Sequence, residues 1–411
     1  MISVEVAVVG AGAAGLAAAR TLRKLGIATV VIEARGRPGG RAHTVEIGQL
    51  PADLGCEWLH DARRNAWAAA ARELGFAIDA KEPEWGERMG RHQLSPADRA
   101  EMGRAFDAFW DAVAAAGRGP DAPVAAVLPP DGARWRPAFD AITGFINGAG
   151  IDVVSAVDIA RYQAEGPNRR VMAGYGTLIA RHADGLDVVY SAPVTTIDLS
   201  GRRCLVETPR GRLEAGAVVL TVPIGVLKAG SIRIVPGLPP AILSALDGLD
   251  MGHVAKLFLE VEGRPWDLAP DTTLLGSFER ARTGSYIVEP LGRPLVEAYF
   301  GGELARDLEA SGRPALAAFA LDELAGIFGS SVRTALRPAA ASSWVADPCS
   351  LGAYSFARPG GADGRATLSA PVLDRLFIAG EALPADAYGT AHGAHDSGVA
   401  AAQAAASAIR A

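Results

Sequence analysis

Two places in the chain set chemically capable residues at telling positions. The first is Gly10-Ala11-Gly12-Ala13-Ala14-Gly15, with Glu33 lying 18 residues after Gly15. Gly10 permits a tight turn, Gly12 lets backbone approach a pyrophosphate, and Gly15 lets a helix sit close on a strand. The helix N-terminus then offers free N–H groups to phosphate. A carboxylate at Glu33 can accept hydrogen bonds from both hydroxyls of an adenosine ribose, which argues against a 2′-phosphorylated cofactor. The second place is Lys256, inside the apolar run Val254-Ala255-Lys256-Leu257-Phe258-Leu259. Apolar burial lowers an ammonium pKa and suits a functional amine. On the residues alone, an edge-strand lysine whose head reaches solvent is the plainer reading.

The elements that must hold these residues are legible around them. Ser3 to Val9 is a β-branched, apolar run that predicts a buried strand. Leu16, Ala19, Leu22 and Leu25 follow at helical spacing, Gly26 is a helix stop, and Ala28 to Ile32 predicts a second strand ending at Glu33. Near the other end, Leu376 to Ala379 predicts a short buried strand and Ala391 to Ile409 a long alanine-rich helix. Between them, Phe76 to Val171 is helical in composition, broken at Gly117 to Pro123 and Leu128 to Gly132. Val254 to Pro338 mixes strands (Ala255 to Val261, Leu295 to Phe300) with a helix at Ala315 to Phe328.

The totals bound the function. A chain of 411 residues, 49% hydrophobic and 21% charged, has material for two or three domains. A net charge of −6 gives no general case for nucleic-acid binding. Cys56, Cys204 and Cys349 form no CxxC or metal spacing, which points to a reducing compartment. The apolar stretch Val6 to Ala19 lacks a basic leader, and no apolar run suffices to cross a bilayer. A cytoplasmic protein with no nucleic-acid or membrane partner is expected. His392, His395 and Asp396 share a helix face, but no metal is expected there.

Longer segments carry a resemblance. Glu33-Ala34-Arg35-Gly36-Arg37-Pro38-Gly39-Gly40-Arg41, Asp53-Leu54-Gly55-Cys56-Glu57-Trp58-Leu59-His60, Met172 to Leu178 and Ala192-Pro193-Val194 resemble the flavin-containing amine oxidase superfamily. So do Val218 to Leu227, Leu249 to Gly252, Leu376 to Glu381 and Gly389 to Ala394. Among its members, the active-site motifs are most similar to those of polyamine oxidases. The resemblance implies an α/β fold: a Rossmann-type discontinuous FAD-binding domain (1–75, 172–253 and 365–411) plus a substrate domain of mixed β-sheet flanked by helices (76–171 and 254–364). Its implied FAD contacts begin with Gly10, Gly12, Ala14, Gly15, Glu33, Ala34, Arg35, Gly39, Gly40 and Arg41. They continue through Gly55, Glu57, Trp58, Val194, Trp344, Gly380, Glu381, Thr390 and Ala391. The N-terminus of the last helix would face the flavin ring, where its dipole favours negative charge.

For catalysis the resemblance implies Lys256 beside a water at the flavin, His60 as the group receiving the amine, and Tyr354 as one wall of an aromatic cage. Thr390 stands where a second aromatic wall is found in other members. Ala353 stands where monoamine oxidases carry the cysteine that bonds FAD, so non-covalent FAD is expected. Glu57, Asp61, Glu82, Glu84 and Glu165 are candidates for a second substrate ammonium, each also readable as a solvated charge. The implied reaction is hydride transfer from a small amine to FAD, hydrolysis of the imine to an aldehyde, and reduction of O2 to H2O2. An L-amino-acid oxidase, a flavin-dependent desaturase and a non-enzymatic flavoprotein are the alternatives.

Overall fold

The computed structural model describes residues 2–83, 93–163 and 166–410, so Glu84 and Glu165 lie outside the described residues. The opening strand, Ile2–Val9, runs parallel to Thr29–Ile32 on one side and to Gly211–Leu220 on the other. Helix Ala13–Lys24 connects the first two and buries Leu16, Ala19 and Leu22. Arg23 and Lys24 in its last turn face the negative end of the helix dipole. Gly26, at φ +73°, ends it as expected.

Eight strands make this sheet. In order they are Arg233–Val235, Thr196–Asp198, Cys204–Thr208, Gly211–Leu220, Ile2–Val9, Thr29–Ile32 and Val188–Val189, with Leu376–Ile378 also paired to Gly211–Leu220. Ala217 to Leu220 are wholly buried, as a central strand covered on both faces requires. Helix Ala391–Arg410 lies over Ala13–Lys24. A β-carbon on Gly398 would stand 2.1 Å from the carbonyl oxygen of Ala14, so the two helices meet at backbone distance. The alanine-rich composition is what permits that approach.

A second sheet of five antiparallel strands takes the order Thr272–Leu275, Ser285–Val288, Leu295–Gly301, Val254–Val261, Leu336–Ala341. Its pleat sorts the side chains. Ala255, Leu257, Leu259, Val296, Ala298 and Phe300 pack with Leu304, Leu316 and Leu324 of the helices Gly302–Ala310 and Arg313–Phe328. Lys256, Phe258, Glu297 and Tyr299 alternate with these and take the opposite face. Helices Pro96–Ala116, capped by Ser95, and Arg136–Asn147 add a wall whose centre is Phe109 stacked on Phe139, 4.8 Å between rings. Two ribbons tie distant sections together: Leu249–Gly252 with Tyr354–Ala357, and Trp58–Leu59 with Arg169–Arg170. Among the described residues no helix is long and apolar enough to cross a membrane.

Candidate active site

One cavity of about 1430 Å³ runs from the glycine loop to the second sheet. Ligand pockets commonly hold roughly 300–1,000 Å³, so this one has room for a large cofactor and a substrate together. At one end it is lined by Gly10, Gly12, Ala14, Glu33, Ala34, Arg35, Gly39, Gly40, Arg41 and Val194. A β-carbon on Gly12 would meet nothing nearer than the Gly39 carbonyl at 4.0 Å, so the loop leaves space that the chain itself does not fill. Glu33 is 3% exposed and accepts from the N–H groups of Ala11 (2.7 Å) and Arg35 (2.8 Å), which fixes its carboxylate at the cavity wall. These residues fit the phosphates and ribose of a dinucleotide. Gly15 alone among the expected contacts does not line the cavity. Its β-carbon would fall 1.8 Å from the Gly10 carbonyl oxygen, so its part is helix-on-strand packing.

Arg41 donates to the Ala353 carbonyl (2.6 Å) and to Glu381 (3.0 Å). Glu381 also accepts from Ser355 Oγ at 2.7 Å. Burial opposes its charge, but Arg41 and these donors prevail and hold its pKa below the usual carboxylate value. Arg35 pairs with Asp347 and Ser350 rather than standing in solvent. Gly55, Glu57, Trp58, Trp344, Gly380, Thr390 and Ala391 line the middle of the cavity. Trp344 donates from its indole to the Leu54 carbonyl (3.2 Å), and Arg170 covers the Trp58 ring at 4.7 Å.

Lys256 projects into this cavity from a central strand, not an edge one. It is 4% exposed, and its ammonium donates to Glu57 (2.9 Å) and Glu297 (2.7 Å). This corrects the expectation of a depressed lysine: burial lowers its pKa, yet Glu297 and Glu57 together raise it above the ordinary value. It also corrects Glu57, which is no solvated charge. Burial alone would raise the Glu57 pKa, but Lys256, a hydrogen bond with Glu297 and the charge of Arg170 together outweigh it and lower the pKa. Glu297 goes the other way, raised first by burial and then by the charge of Glu57. Two of the three ammonium protons are engaged here, leaving a donor for the cavity.

Tyr354 lines the cavity with Tyr299, whose hydroxyl lies 3.0 Å from its own. Tyr354 donates to the Phe145 carbonyl, and burial holds both phenols neutral by raising their pKa. His60 is at the wall, its Nδ1 2.9 Å from Asn168 Oδ1, with its pKa lowered by burial. Asp61, expected in solvent, is 5% exposed and pairs with Arg64 at 3.0 Å; Glu82 is exposed, as read. Farther out the cavity passes between helices, lined by Met102, Phe106, Asp107 and Trp110 from one and Ile142, Phe145 and Ile146 from another.

Several residues at this site were missed in the sequence. Glu297 and Tyr299 sit two apart in Leu295-Val296-Glu297-Ala298-Tyr299-Phe300, and an acid within an apolar strand was the available signal. Arg365 and Asp158 gave none. They form a fully buried bidentate pair (2.7 Å twice), and Arg365 also donates to Ser355 Oγ (3.0 Å) and to the Ala382 carbonyl. Arg365 thereby positions Glu381 through Ser355. It also lies over the ring of Tyr388, 3.9 Å from its centre.

The family described as flavin containing amine oxidoreductase matches residues 129–406, and the NAD(P)-binding Rossmann-like domain matches residues 8–74. Polyamine oxidase 2 of Arabidopsis thaliana is 29% identical over 98% of this chain and 88% of its own length. Probable polyamine oxidase 4 of the same plant is 28% identical over 97% and 86%. Lysine-specific histone demethylase 1 homolog 1 of Oryza sativa subsp. japonica is 28% identical over 96% of this chain but 51% of its own length. The solved structure of wild-type putrescine oxidase bound to putrescine superposes with a TM-score of 0.81 at 23% identity, covering 100% of both chains.

Proposed function

Since the chain belongs to the flavin containing amine oxidoreductase family, we propose that this FAD-dependent amine oxidase acts on an amine of polyamine type. The overall reaction is amine, O2 and water giving an aldehyde, a shorter amine and H2O2. The observation that carries the substrate reading is the cavity's outer arm: a largely apolar channel between two helices, with the exposed Asp107 among its lining residues. Such an arm suits methylene groups and a distal ammonium. The relatives named as polyamine oxidases support the same reading.

When bound, FAD supplies the two-electron acceptor for the C–H bond beside the amine nitrogen. The chain's own residues do the rest. Tyr354 and Tyr299 give the amine an aromatic wall that attracts its cationic form and orients it. His60, kept neutral by burial, can accept from an ammonium. Lys256, anchored by its two glutamates, keeps one donor for a water in the cavity. Non-covalent attachment of FAD is part of the proposal. Ala353 offers no thiol beside Tyr354, and burial raises the pKa of both Cys56 and Cys349, which leaves them poor nucleophiles. We place the reaction in the cytoplasm on the sparse cysteines.

Anaerobic mixing of the yellow protein with spermine, spermidine, putrescine, benzylamine and L-amino acids tests this. Bleaching of the visible flavin band by di- and polyamines is expected. Asp107→Asn should then raise the KM for diamines by about tenfold, on the order of 1.4 kcal/mol, and leave the value for a monoamine unchanged. Bleaching by amino acids alone would move the chain to the amino-acid oxidases, and colour that stays with acid-precipitated protein would overturn non-covalent binding.

A further inference from the structure

Lys256 carries more negative charge than it needs. Glu57 and Glu297 both bond its ammonium, are both nearly buried, and lie within hydrogen-bonding reach of each other. Two carboxylates in contact with one another, out of water, hold a proton between them in preference to two full charges. Both line the large cavity. Both also line a second, much smaller one, about 20 Å³, on the far side of the pair. A space of roughly 10–15 Å³ or more accommodates a water molecule.

That small cavity is polar. Arg170, Arg293 and Asp53 share its wall. Arg170 is 3% exposed and spends its outer nitrogens on Asp271 (2.7 Å) and Asp79 (3.2 Å), while its Nε has no partner among the described residues. A buried N–H of this kind calls for an acceptor, and a water here would serve both it and the glutamates. Arg293 reaches the carbonyls of Pro51 and Met172 at the cavity's rim, on the side towards solvent. The other charged or titratable groups facing the pair are Lys256, Tyr299 and His60.

We propose that Glu57 and Glu297 share one proton and relay protons from the large cavity to the water-sized cavity behind them, as the outlet for the proton that an ammonium substrate must lose. The inference rests on the amine-oxidation reading. The steps balance. An N–H bond of the substrate ammonium breaks and an O–H bond forms on Glu57, which frees the nitrogen lone pair. The proton already held passes from Glu297 to water in the small cavity and on to solvent. The pair again holds one proton, and Lys256 keeps its charge throughout as the counter-ion.

Two measurements on the holoenzyme test it. Infrared spectra in H2O and D2O at neutral pH read the isotope-sensitive C=O stretch of a buried carboxylic acid. It is expected in the wild type and absent from Glu297→Gln, which preserves shape and a hydrogen bond. Anaerobic mixing with spermidine in weak buffer containing a pH-indicator dye then compares proton release with flavin bleaching. In the wild type the two coincide. In Glu297→Gln, release should lag by on the order of 100-fold, and Glu57→Gln, should the first variant not fold, should do the same. A missing carboxylic-acid band, or release that keeps pace in both variants, overturns the relay and leaves amine oxidation standing. If neither spermidine nor any other amine of the panel bleaches the flavin, the amine reading falls and the relay with it.

Discussion

Lys256 shows how partners, not burial, decide the state of a buried charge. With two carboxylates at 2.9 and 2.7 Å the ammonium is favoured in a site that would otherwise expel it. Lys256→Met leaves two glutamates facing each other with Arg170, 3.9 Å from Glu57, as the nearest cation. It should cost about 3–5 kcal/mol in urea unfolding, and Lys256→Met/Glu57→Gln/Glu297→Gln should regain most of that; equal losses in both would contradict the cluster's coupling. The lysine was legible as an oddity in an apolar strand. Its partners were not, because alternation says that Glu297 and Tyr299 share a face but not which strand lies opposite. Only the register, with Tyr299 across from Lys256, brings them together.

The strand–loop–helix at the start is where sequence and structure agree most closely, because its signals are local: a β-branched run, three glycines and a helix stop within some thirty residues. The two later glycines nevertheless do different work. Gly12→Ala adds a methyl to open space, so the apoprotein should unfold within about 1 kcal/mol of wild type while losing FAD on gel filtration. Gly15→Ala drives a carbon into the backbone of Gly10 and should fail to give folded protein, with or without FAD. Identical behaviour of the two variants would refute the division between ligand contact and packing. The ribbons at Leu249–Gly252 and Tyr354–Ala357 were beyond reading for the opposite reason: their pairing spans a hundred residues and leaves no mark in either segment.

Across the molecule, buried and half-buried histidines set a dependence on pH. Burial lowers His43, His182 and His392 to about 4. Their unfolded value is roughly 6.5, so the unfolded chain takes up protons first and stability falls as pH drops from about 6.5 towards 4. His182 sits edge-on to Trp67 at 4.9 Å. His182→Phe keeps that contact without the titration, and its Tm should fall less than the wild type's between pH 7 and 5; parallel curves would count against the assignment. The discontinuous sheet has a consequence for how the protein is made. Residues 2–32 leave the ribosome long before Leu376–Ile378 can take its place beside Gly211–Leu220, or Ala391–Arg410 can cover Ala13–Lys24. Through most of the synthesis of these residues the nascent chain therefore presents a bare strand edge and an uncovered apolar helix to solvent, both of them invitations to aggregate. Ala391 and Ala394, which complete the cavity wall, follow all its other lining residues in chain order. The complete cofactor cavity should therefore form only once these residues have been made, and cells short of flavin should accumulate an empty chain rather than a stalled one.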